Sequence, residues 1–170
     1  MALLLDRATI QRLLDMKEAV DLMETAFTEL VNQTVNMPQR LVMADAEHAG
    51  LTLFMPAHLK GLGAIGIKAV TVFPNNPSKY QIPTTLATIV LLDQETGKAL
   101  SVMDGGYITA MRTGAVSGAA TRALAREDAT VAGVLGMGVQ ARTQLWGMCT
   151  VRPIRTALCF SVDAPERQRV

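Results

Sequence analysis

The chain has 170 residues, and 49% of them are hydrophobic, which is enough to build a folded core. Its 16 basic and 15 acidic residues nearly balance and form no basic stripe, so we expect neither nucleic acid nor a membrane surface as a partner. The apolar runs are too short to cross a bilayer, the N-terminus lacks the pattern of a secretion signal, and the two cysteines form no paired motif. We therefore expect a cytoplasmic protein with free thiols.

Hydrophobic periodicity predicts a mixed order of helices and strands. The helical N-terminal stretch could be two short helices, capped by Thr9 or Asp15. The turn at 93–97 has the composition of a hairpin. In chain order the predicted elements are a helical stretch over 7–33, two strands flanking the polar segment 45–50, strands over 63–73, 84–92 and 99–103, a helix over 106–126, a strand over 130–135, a helix over 139–148 and a strand over 154–162.

The strand, turn and helix around residues 136–141 match the opening of a dinucleotide-binding domain. Gly136 permits a tight turn, Gly138 lets the backbone approach a pyrophosphate, and Ala141 occupies the third small position, where helix and strand pack closely. The N-terminus of the following helix would offer free N–H groups to the phosphates. A complete domain of this kind has about six strands, whereas two are predicted here, so we expect only its first part.

Three cations are singled out by their surroundings. Lys68 lies within an apolar strand, where it faces either solvent at a sheet edge or a polar pocket. Arg112 lies in a helix rich in small residues, which allow close approach of either another helix or a ligand. Arg40 follows Pro38 and opens a strand. Together the three could form a pocket for an anionic group, since arginine binds carboxylates in a planar, bidentate way.

Several short segments then follow one another in a recognisable order. They are Lys68…Phe73-Pro74…Pro83-Thr84, Leu92-Asp93…Thr96-Gly97, Met103-Asp104-Gly105, Arg112-Thr113-Gly114-Ala115…Ser117-Gly118 and Gly136…Gly138-Val139-Gln140-Ala141. In this order they resemble the ornithine cyclodeaminase/mu-crystallin family, which includes alanine dehydrogenases and cyclic ketimine reductases. The resemblance covers essentially the whole chain.

The resemblance implies an α/β protein with an α+β substrate and dimerisation domain over residues 1–105, a bridging helix over 106–128 and part of a Rossmann domain over 129–170. It implies a homodimer, a small amino- or imino-acid substrate and NAD or NADP as cofactor. By position, Arg40, Lys68 and Arg112 match the residues around the substrate carboxylate. Lys68 could also polarise the reacting group or move a proton, which makes it the candidate catalytic residue. The matched cofactor contacts are Thr84, Arg112, Gly136, Gly138, Val139 and Gln140.

One departure from the family concerns the substrate. Cyclodeaminases acting on ornithine carry an acidic residue shortly before a Met-Pro pair, but the segment 52–56 here reads Thr-Leu-Phe-Met-Pro. No carboxylate is present there to meet a second ammonium. This favours alanine/pyruvate or a pyrroline carboxylate, and therefore an oxidoreductase. The alternatives are a lyase converting ornithine to proline, and a dimeric binding protein without turnover, as in mu-crystallin-like members.

A second departure concerns the 2′ group of the cofactor. Ser161 occupies the position where an acidic residue usually binds the ribose, and Asp163 follows two residues later. Ser161 with Arg167 could accept a 2′-phosphate and favour NADP, whereas Asp163 could bind a ribose hydroxyl and favour NAD. The sequence leans slightly to NADP.

Length is the largest departure. Family members are much longer, and their second half supplies further sheet strands and, in cyclodeaminases, an acidic catalytic residue. We expect the chain to be a truncated form whose own activity is in question. No metal site is expected, because His48 and His58 have no ligand partners in a metal-binding spacing.

Overall fold

The computed structural model describes residues 1–162 as two compact units. The first contains Met1–Arg12 and Thr28–Ile108, and the second contains Leu13–Phe27 and the chain from Thr109 onward. The elements, in chain order, are β1 (Leu3–Leu5), α1 (Arg7–Leu13), α2 (Met16–Val31), β2 (Val35–Asn36), β3 (Leu41–Asp45), β4 (Gly50–Leu59), β5 (Ala64–Val72), α3 (Asn76–Tyr80), β6 (Thr85–Leu92), β7 (Ala99–Asp104), α4 (Gly105–Leu124), β8 (Val131–Leu135), α5 (Val139–Val151) and β9 (Thr156–Phe160). Among these residues no helix is both long and apolar enough to span a membrane.

A seven-stranded sheet forms the first unit. Its order is β1-β7-β6-β5-β4-β2, and β3 also pairs with β4. All neighbours are antiparallel except β1 and β7, which run parallel. The turn between β6 and β7 is built by Asp93, whose Oδ1 accepts hydrogen bonds from the backbone N–H (2.8 Å) and the hydroxyl (2.7 Å) of Thr96. The sequence-predicted hairpin is thus confirmed.

The faces of this sheet differ in how its interior strands are covered. Val70 and Ser101 are buried on the same face as Lys68, although Leu3 (62%) and Val42 (50%) of the edge strands are exposed on that face too. On the opposite face, large apolar side chains remain open to solvent: Leu4 is 82% exposed, Leu41 60% and Met43 55%. The second face is therefore an unpartnered apolar surface, which we call the open sheet face.

Aspartates cap three of the helices. Asp6 accepts a hydrogen bond from the Thr9 N–H (2.8 Å), and its bonds with Thr9 hold the pKa of that carboxyl below 3.8. Asp15 caps α2 as predicted, accepting from the Lys17 N–H (2.7 Å). The prediction of Thr9 as a cap was wrong, because Thr9 is the donor residue within the first turn. Asp104 caps α4 by accepting a hydrogen bond from the Tyr107 N–H (3.0 Å).

The second unit contains the predicted strand-helix-strand segment. β8 and β9 pair in parallel from Val131 opposite Thr156 to Leu135 opposite Phe160, with α5 as the connection. Val134, Met137 and Ala141 form its buried core, against which Leu145, Met148 and Cys159 pack. The third small position of the turn therefore packs helix against strand, as its sequence predicted.

Glycines bring α4 and α5 into backbone contact. A Cβ added to Gly114 would overlap the Thr143 backbone carbonyl, and one added to Gly147 would overlap the Gly114 carbonyl. A Cβ on Gly118 would stand 2.7 Å from Val20 of α2 and 3.0 Å from the Gly147 oxygen. Close helix packing thus accounts for these small residues of α4.

The first part of α2, as far as Phe27, belongs to the second unit because it packs against α4. Val20 is fully buried, and Arg122 of α4 forms ion pairs with Asp21 (2.8 Å) and Glu24 (3.0 Å). The two compact units therefore differ from the domains predicted from the sequence, which placed this segment in the first domain. The limits 1–105, 106–128 and 129–170 stay predictions. Sequence analysis also missed β1, β2 and α3, the last within the loop that starts at Pro74.

Candidate functional site

The glycine turn after β8 has the backbone geometry that its sequence predicts. Gly136 has φ +86°, a left-handed conformation that residues with a Cβ adopt only under strain. Its N–H donates to the Phe160 carbonyl oxygen at 2.8 Å, which ties the turn to the end of β9. Ser161 follows directly and is buried at 4% exposure. The turn and the end of β9 therefore lie at the same edge of the sheet.

The N-terminus of α5 lacks a side-chain cap. Gly138 is the N-cap residue and makes no side-chain hydrogen bond, and the first turn contains no acidic residue. A Cβ added to Gly138 would meet no atom within 4 Å, so the space in front of it is open. Uncapped N–H groups, a positive helix end and open space together suit an anion.

A pocket of about 420 Å³ begins at this turn and extends along α5. At the turn it is lined by Gly136, Gly138, Val139 and Gln140. The Gln140 Oε1 atom is buried there and has no hydrogen-bond partner among the described residues. A pyrophosphate would satisfy the helix N–H groups, and a ribose hydroxyl would satisfy Gln140, so these residues fit a dinucleotide.

Arg112 lies near the same end of α5. Because Gly114 packs on Thr143 and Gly118 on Gly147, α4 and α5 run side by side in the same direction. Along the helix axis this register sets Arg112 near the height of the first turn of α5. Two residues turn the side-chain direction by about 200°, so the exposed side chain of Arg112 lies on the side of α4 away from its contact with α5.

In the first unit, the strand register brings Arg40 and Lys68 to the same row of the sheet. Lys68 pairs with Met55 of β4, and Leu41 of β3 pairs with Phe54. Arg40, immediately before Leu41, is thus the next position along, beside Met55. It is exposed and precedes the strand rather than opening it, which corrects the sequence interpretation. Two strand spacings separate Arg40 from Lys68, about 10 Å between Cα atoms.

Lys68 is half-buried in an interior strand. β5 lies between β4 and β6, so the alternative of a solvated edge-strand lysine is wrong. The neighbours of Lys68 in its row are Met55 on one side and Ile89 on the other. Lys68 is therefore a half-buried cation between apolar neighbours, and its role in a site stays a prediction.

The structure separates Thr84 from this row. Its carbonyl accepts a hydrogen bond from the Phe73 N–H (2.8 Å) at the far end of β5. Phe73 is five residues beyond Lys68, so Thr84 lies about 16 Å from the Lys68 row along the strand direction. Asp163, the alternative ribose ligand, lies outside the described residues, as does Arg167. Within residues 1–162, no cluster of His, Cys, Asp and Glu side chains could hold a metal ion.

Sequence reasoning missed Met55, which lies between the two cations. The signal was available in the hairpin, because pairing β3 with β4 around the polar turn 45–50 sets Met55 beside Arg40. Only the pairing of β4 with β5 then adds Lys68 to the row. That second pairing depends on the β4–β5 register, which the sequence alone did not specify.

Comparison with known proteins identifies relatives along the whole chain. The family model described as the ornithine cyclodeaminase/mu-crystallin family matches residues 2–170. An alanine dehydrogenase from Archaeoglobus fulgidus is 37% identical over 94% of this chain and 48% of its own length. The chain thus spans about half the length of the curated relatives it matches.

Solved structures give the same result. The Δ1-pyrroline-2-carboxylate reductase of Thermococcus litoralis, in complex with NADH and L-proline, superimposes with a TM-score of 0.91 and 44% identity, over 98% of this chain and 51% of that one. A dimeric archaeal alanine dehydrogenase with bound NAD has a TM-score of 0.91 and 34% identity, over 99% and 51%. These neighbours confirm the expected α/β fold, in which this chain corresponds to the N-terminal part of a protein with a Rossmann domain.

Proposed function

The chain belongs to the ornithine cyclodeaminase/mu-crystallin family, and on that premise we propose that it is part of a nicotinamide-dependent oxidoreductase acting on a small amino or imino acid. Its reaction type is that of an alanine dehydrogenase or a cyclic ketimine reductase. The observation that carries the proposal is the turn from Gly136 to Val139, with its left-handed glycine and uncapped helix end. That geometry suits a pyrophosphate, and among the described residues no side chain caps this helix end.

In this proposal the second unit holds the cofactor. The backbone N–H groups at the start of α5 bind the pyrophosphate, Gly138 permits its close approach, and Gln140 contacts the adjoining ribose. Arg112 is proposed as a further cofactor contact on the family resemblance, and its guanidinium would supply positive charge to a phosphate. When bound, the nicotinamide supplies or accepts the hydride. The NADH and NAD in the solved relatives support this class of cofactor.

The first unit contributes to substrate binding. Arg40 and Lys68 lie about two strand spacings apart in one row, a separation that long side chains can bridge to one carboxylate. Arg112 stays predicted as a further carboxylate ligand. When an imine is reduced, its nitrogen must gain a proton as the carbon gains hydride; in oxidation the proton leaves. The Lys68 Nζ is the proposed group that holds and moves this proton.

The surroundings of Lys68 favour a substrate with an uncharged side chain. Met55 and Ile89 flank it within the row, and Leu53 and Val70 form the adjacent pair on the same face. A second ammonium, as in ornithine, would be desolvated here without a carboxylate partner. This supports alanine/pyruvate or a pyrroline carboxylate as the substrate and disfavours ornithine cyclisation.

The 2′ group of the cofactor is a finer proposal. Ser161 is buried at the end of β9 beside the glycine turn, and it carries no carboxylate that would repel a 2′-phosphate. The sequence-based preference is for NADP(H), with Asp163 as the residue that would favour NAD(H) instead. Parallel titrations with NADPH and NADH decide between them.

We also propose a homodimer formed through the open sheet face. Exposed apolar side chains such as Leu4, Leu41 and Met43 lie on that face, and the archaeal alanine dehydrogenase is a dimer. Burial of an apolar sheet face of this kind favours stable association. Light scattering of the purified chain measures the outcome.

The cofactor proposal is tested by thermal unfolding with NADH or NADPH, followed through Trp146. This residue is the only tryptophan of the chain and lies in α5. At a concentration one hundred times the dissociation constant, a ligand stabilises by about 2.7 kcal/mol, which corresponds to roughly 5–10 °C for a chain of this size.

Two variants of one residue make the test specific. Gly138→Asp puts a carboxylate where the pyrophosphate would approach, and the open space accommodates it, so the fold should persist while the cofactor shift disappears. Gly138→Asn adds a neutral side chain of the same size, so it obstructs the close approach equally but does not repel the phosphate, and it should lose less of the shift than Gly138→Asp. Cofactor binding at this turn would be contradicted if both variants kept the full shift in melting temperature, or if the natural chain showed no shift.

A further inference from the structure

The loop between β5 and β6 is exposed at every residue from Pro74 to Pro83 except one. That residue is Asn76, which is 8% exposed although asparagine belongs to the residue types that mostly face solvent. Burial of an amide is favourable only where hydrogen bonds replace its contacts with water. The hydrogen bonds of Asn76 therefore indicate what its buried side chain does.

These hydrogen bonds join the two ends of the loop. The Asn76 N–H donates to the Phe73 carbonyl at the start of the loop (3.1 Å). The side-chain Nδ2 of Asn76 donates to the Pro83 carbonyl at the other end (3.1 Å). Because a carbonyl oxygen only accepts, the NH₂ side of the amide must face Pro83. Asn76 thus closes the loop where a backbone pair would otherwise be needed.

Thr84 lies between two peptide groups that are held by this closure. The Pro83 carbonyl belongs to the peptide group before Thr84 and is bonded by Asn76. The Thr84 carbonyl belongs to the peptide group after it and accepts from the Phe73 N–H (2.8 Å). Peptide groups are planar, so fixing both of them sets φ and ψ of Thr84 and the direction of its Cβ. Threonine is also restricted at χ1, so its hydroxyl has few directions left.

The start of the loop has a second anchor. A Cβ added to Gly50, at the start of β4, would overlap the Phe73 ring, so the ring lies directly on that backbone. Val72 pairs with Thr85, and the ladder continues through the Phe73 N–H. Pro83 has no N–H and cannot extend this ladder further. The peptide group before Thr84 therefore depends on the Asn76 amide.

We propose that Asn76 is a positioning residue for cofactor binding. It holds Thr84, which the family resemblance matches to a cofactor contact, in one orientation before the ligand binds. A preformed contact strengthens binding because the ligand does not have to select a minority conformation. Asn76 itself touches no ligand. The proposal rests on the proposed function, in which the chain binds NADH or NADPH.

The first measurement needs no cofactor. Asn76→Ala removes the donor, and Asn76→Asp keeps the shape but sets an acceptor against the Pro83 carbonyl. Asn75→Ala is the matched control, because Asn75 is the exposed neighbour and its side chain does not cap α3. Hydrogen exchange at the Phe73 amide should quicken in both Asn76 variants and stay unchanged in the control. Continued protection of the amides within β5 shows that the sheet is folded.

The second measurement is the dissociation constant of NADH or NADPH, whichever stabilises the natural chain. Asn76→Ala should weaken binding about tenfold, the equivalent of one lost hydrogen bond, and Asn76→Asp should weaken it more. Asn75→Ala should have no effect. Because Asn76 acts through Thr84, adding Asn76→Ala to Thr84→Ala should weaken binding no further, whereas independent contributions would add.

Three results would overturn the proposal alone: unchanged affinity in the Asn76 variants, additive losses in the double variant, or unchanged exchange at the Phe73 amide. Failure of the natural chain to bind either cofactor would overturn the proposed function, and this proposal with it. The natural chain thus distinguishes the two failures.

Discussion

The side chain of Arg152 is expected to hold the end of α4 in place. Its Nη2 donates to the Arg122 (2.7 Å) and Ala125 (2.9 Å) carbonyls, both part-buried, and its Nε to the Arg126 carbonyl (2.9 Å). These are carbonyls at a helix end, where a cation is also favoured by the helix dipole. A hydrogen bond to a charged group contributes about 1.5–3 kcal/mol. Taking the lower value for the two part-buried bonds, Arg152→Ala should cost about 3 kcal/mol.

The assay is unfolding in urea followed by Trp146 fluorescence, which reports on the second unit. With a urea m-value of about 1–3 kcal/mol/M, a cost of about 3 kcal/mol should lower the transition midpoint by roughly 1–3 M urea. Arg152→Lys keeps the charge but cannot form the fork, so about half the loss is expected. The control is Arg126→Ala, since its side chain is 83% exposed and its ion pair with Asp128 is long at 3.9 Å. A loss below about 0.5 kcal/mol for Arg152→Ala would refute the capping role.

Three further predictions concern stability. Gly147→Ala should destabilise the second unit by about 1–3 kcal/mol through overpacking against Gly114, measured by the same fluorescence assay; Gly133→Ala, into open space, should be nearly neutral. Glu29 accepts a hydrogen bond from the Gly61 N–H in the β4–β5 turn (2.9 Å). Glu29→Ala should therefore cost about 1–2 kcal/mol of unfolding free energy, measured by urea denaturation. Glu29→Gln retains the acceptor and should lose less. Hydrogen bonds from Thr96 lower the pKa of Asp93 below 3.8. The contribution of Asp93 to stability is therefore present above pH 3.8 and is lost as the pH falls through the folded pKa. An acid titration of the Asp93→Asn variant should show a weaker dependence of stability on pH in that range.

Local pattern was sufficient to predict most elements of this fold. The alternation around Lys68, the hairpin chemistry at Asp93 and the glycine spacing at Gly136 each depend on neighbours within a few residues. These signals specify backbone conformation directly, through side-chain period, turn hydrogen bonds and positive φ. For the same reason the backbone geometry of the glycine turn could be predicted from its residues, whereas its binding of a pyrophosphate stays a prediction.

Features that depend on distant partners were not predictable in this way. β1 has three residues and forms only by pairing with β7, nearly one hundred positions later. The role of Arg152 requires the end of α4 to be close, and Met55 gains its place beside Lys68 only from the β4–β5 register. Periodicity carries no information about such pairings, because they are set by tertiary packing.

The parallel contact between α4 and α5 also explains why Arg112 and Gly114 are so close in sequence. Gly114 is fixed against the backbone of α5, so it acts as the reference point from which the angular position of Arg112 is counted. Each residue of a helix turns the side-chain direction by about 100°. Two residues therefore set Arg112 about 200° away from the contact, on the exposed side of α4. One residue inserted between them would turn the arginine toward the packed backbone of α5, whereas an insertion in a surface turn would cost little. The spacing in this motif is therefore a helical phase, and it should tolerate substitution at Thr113 far better than any change of length.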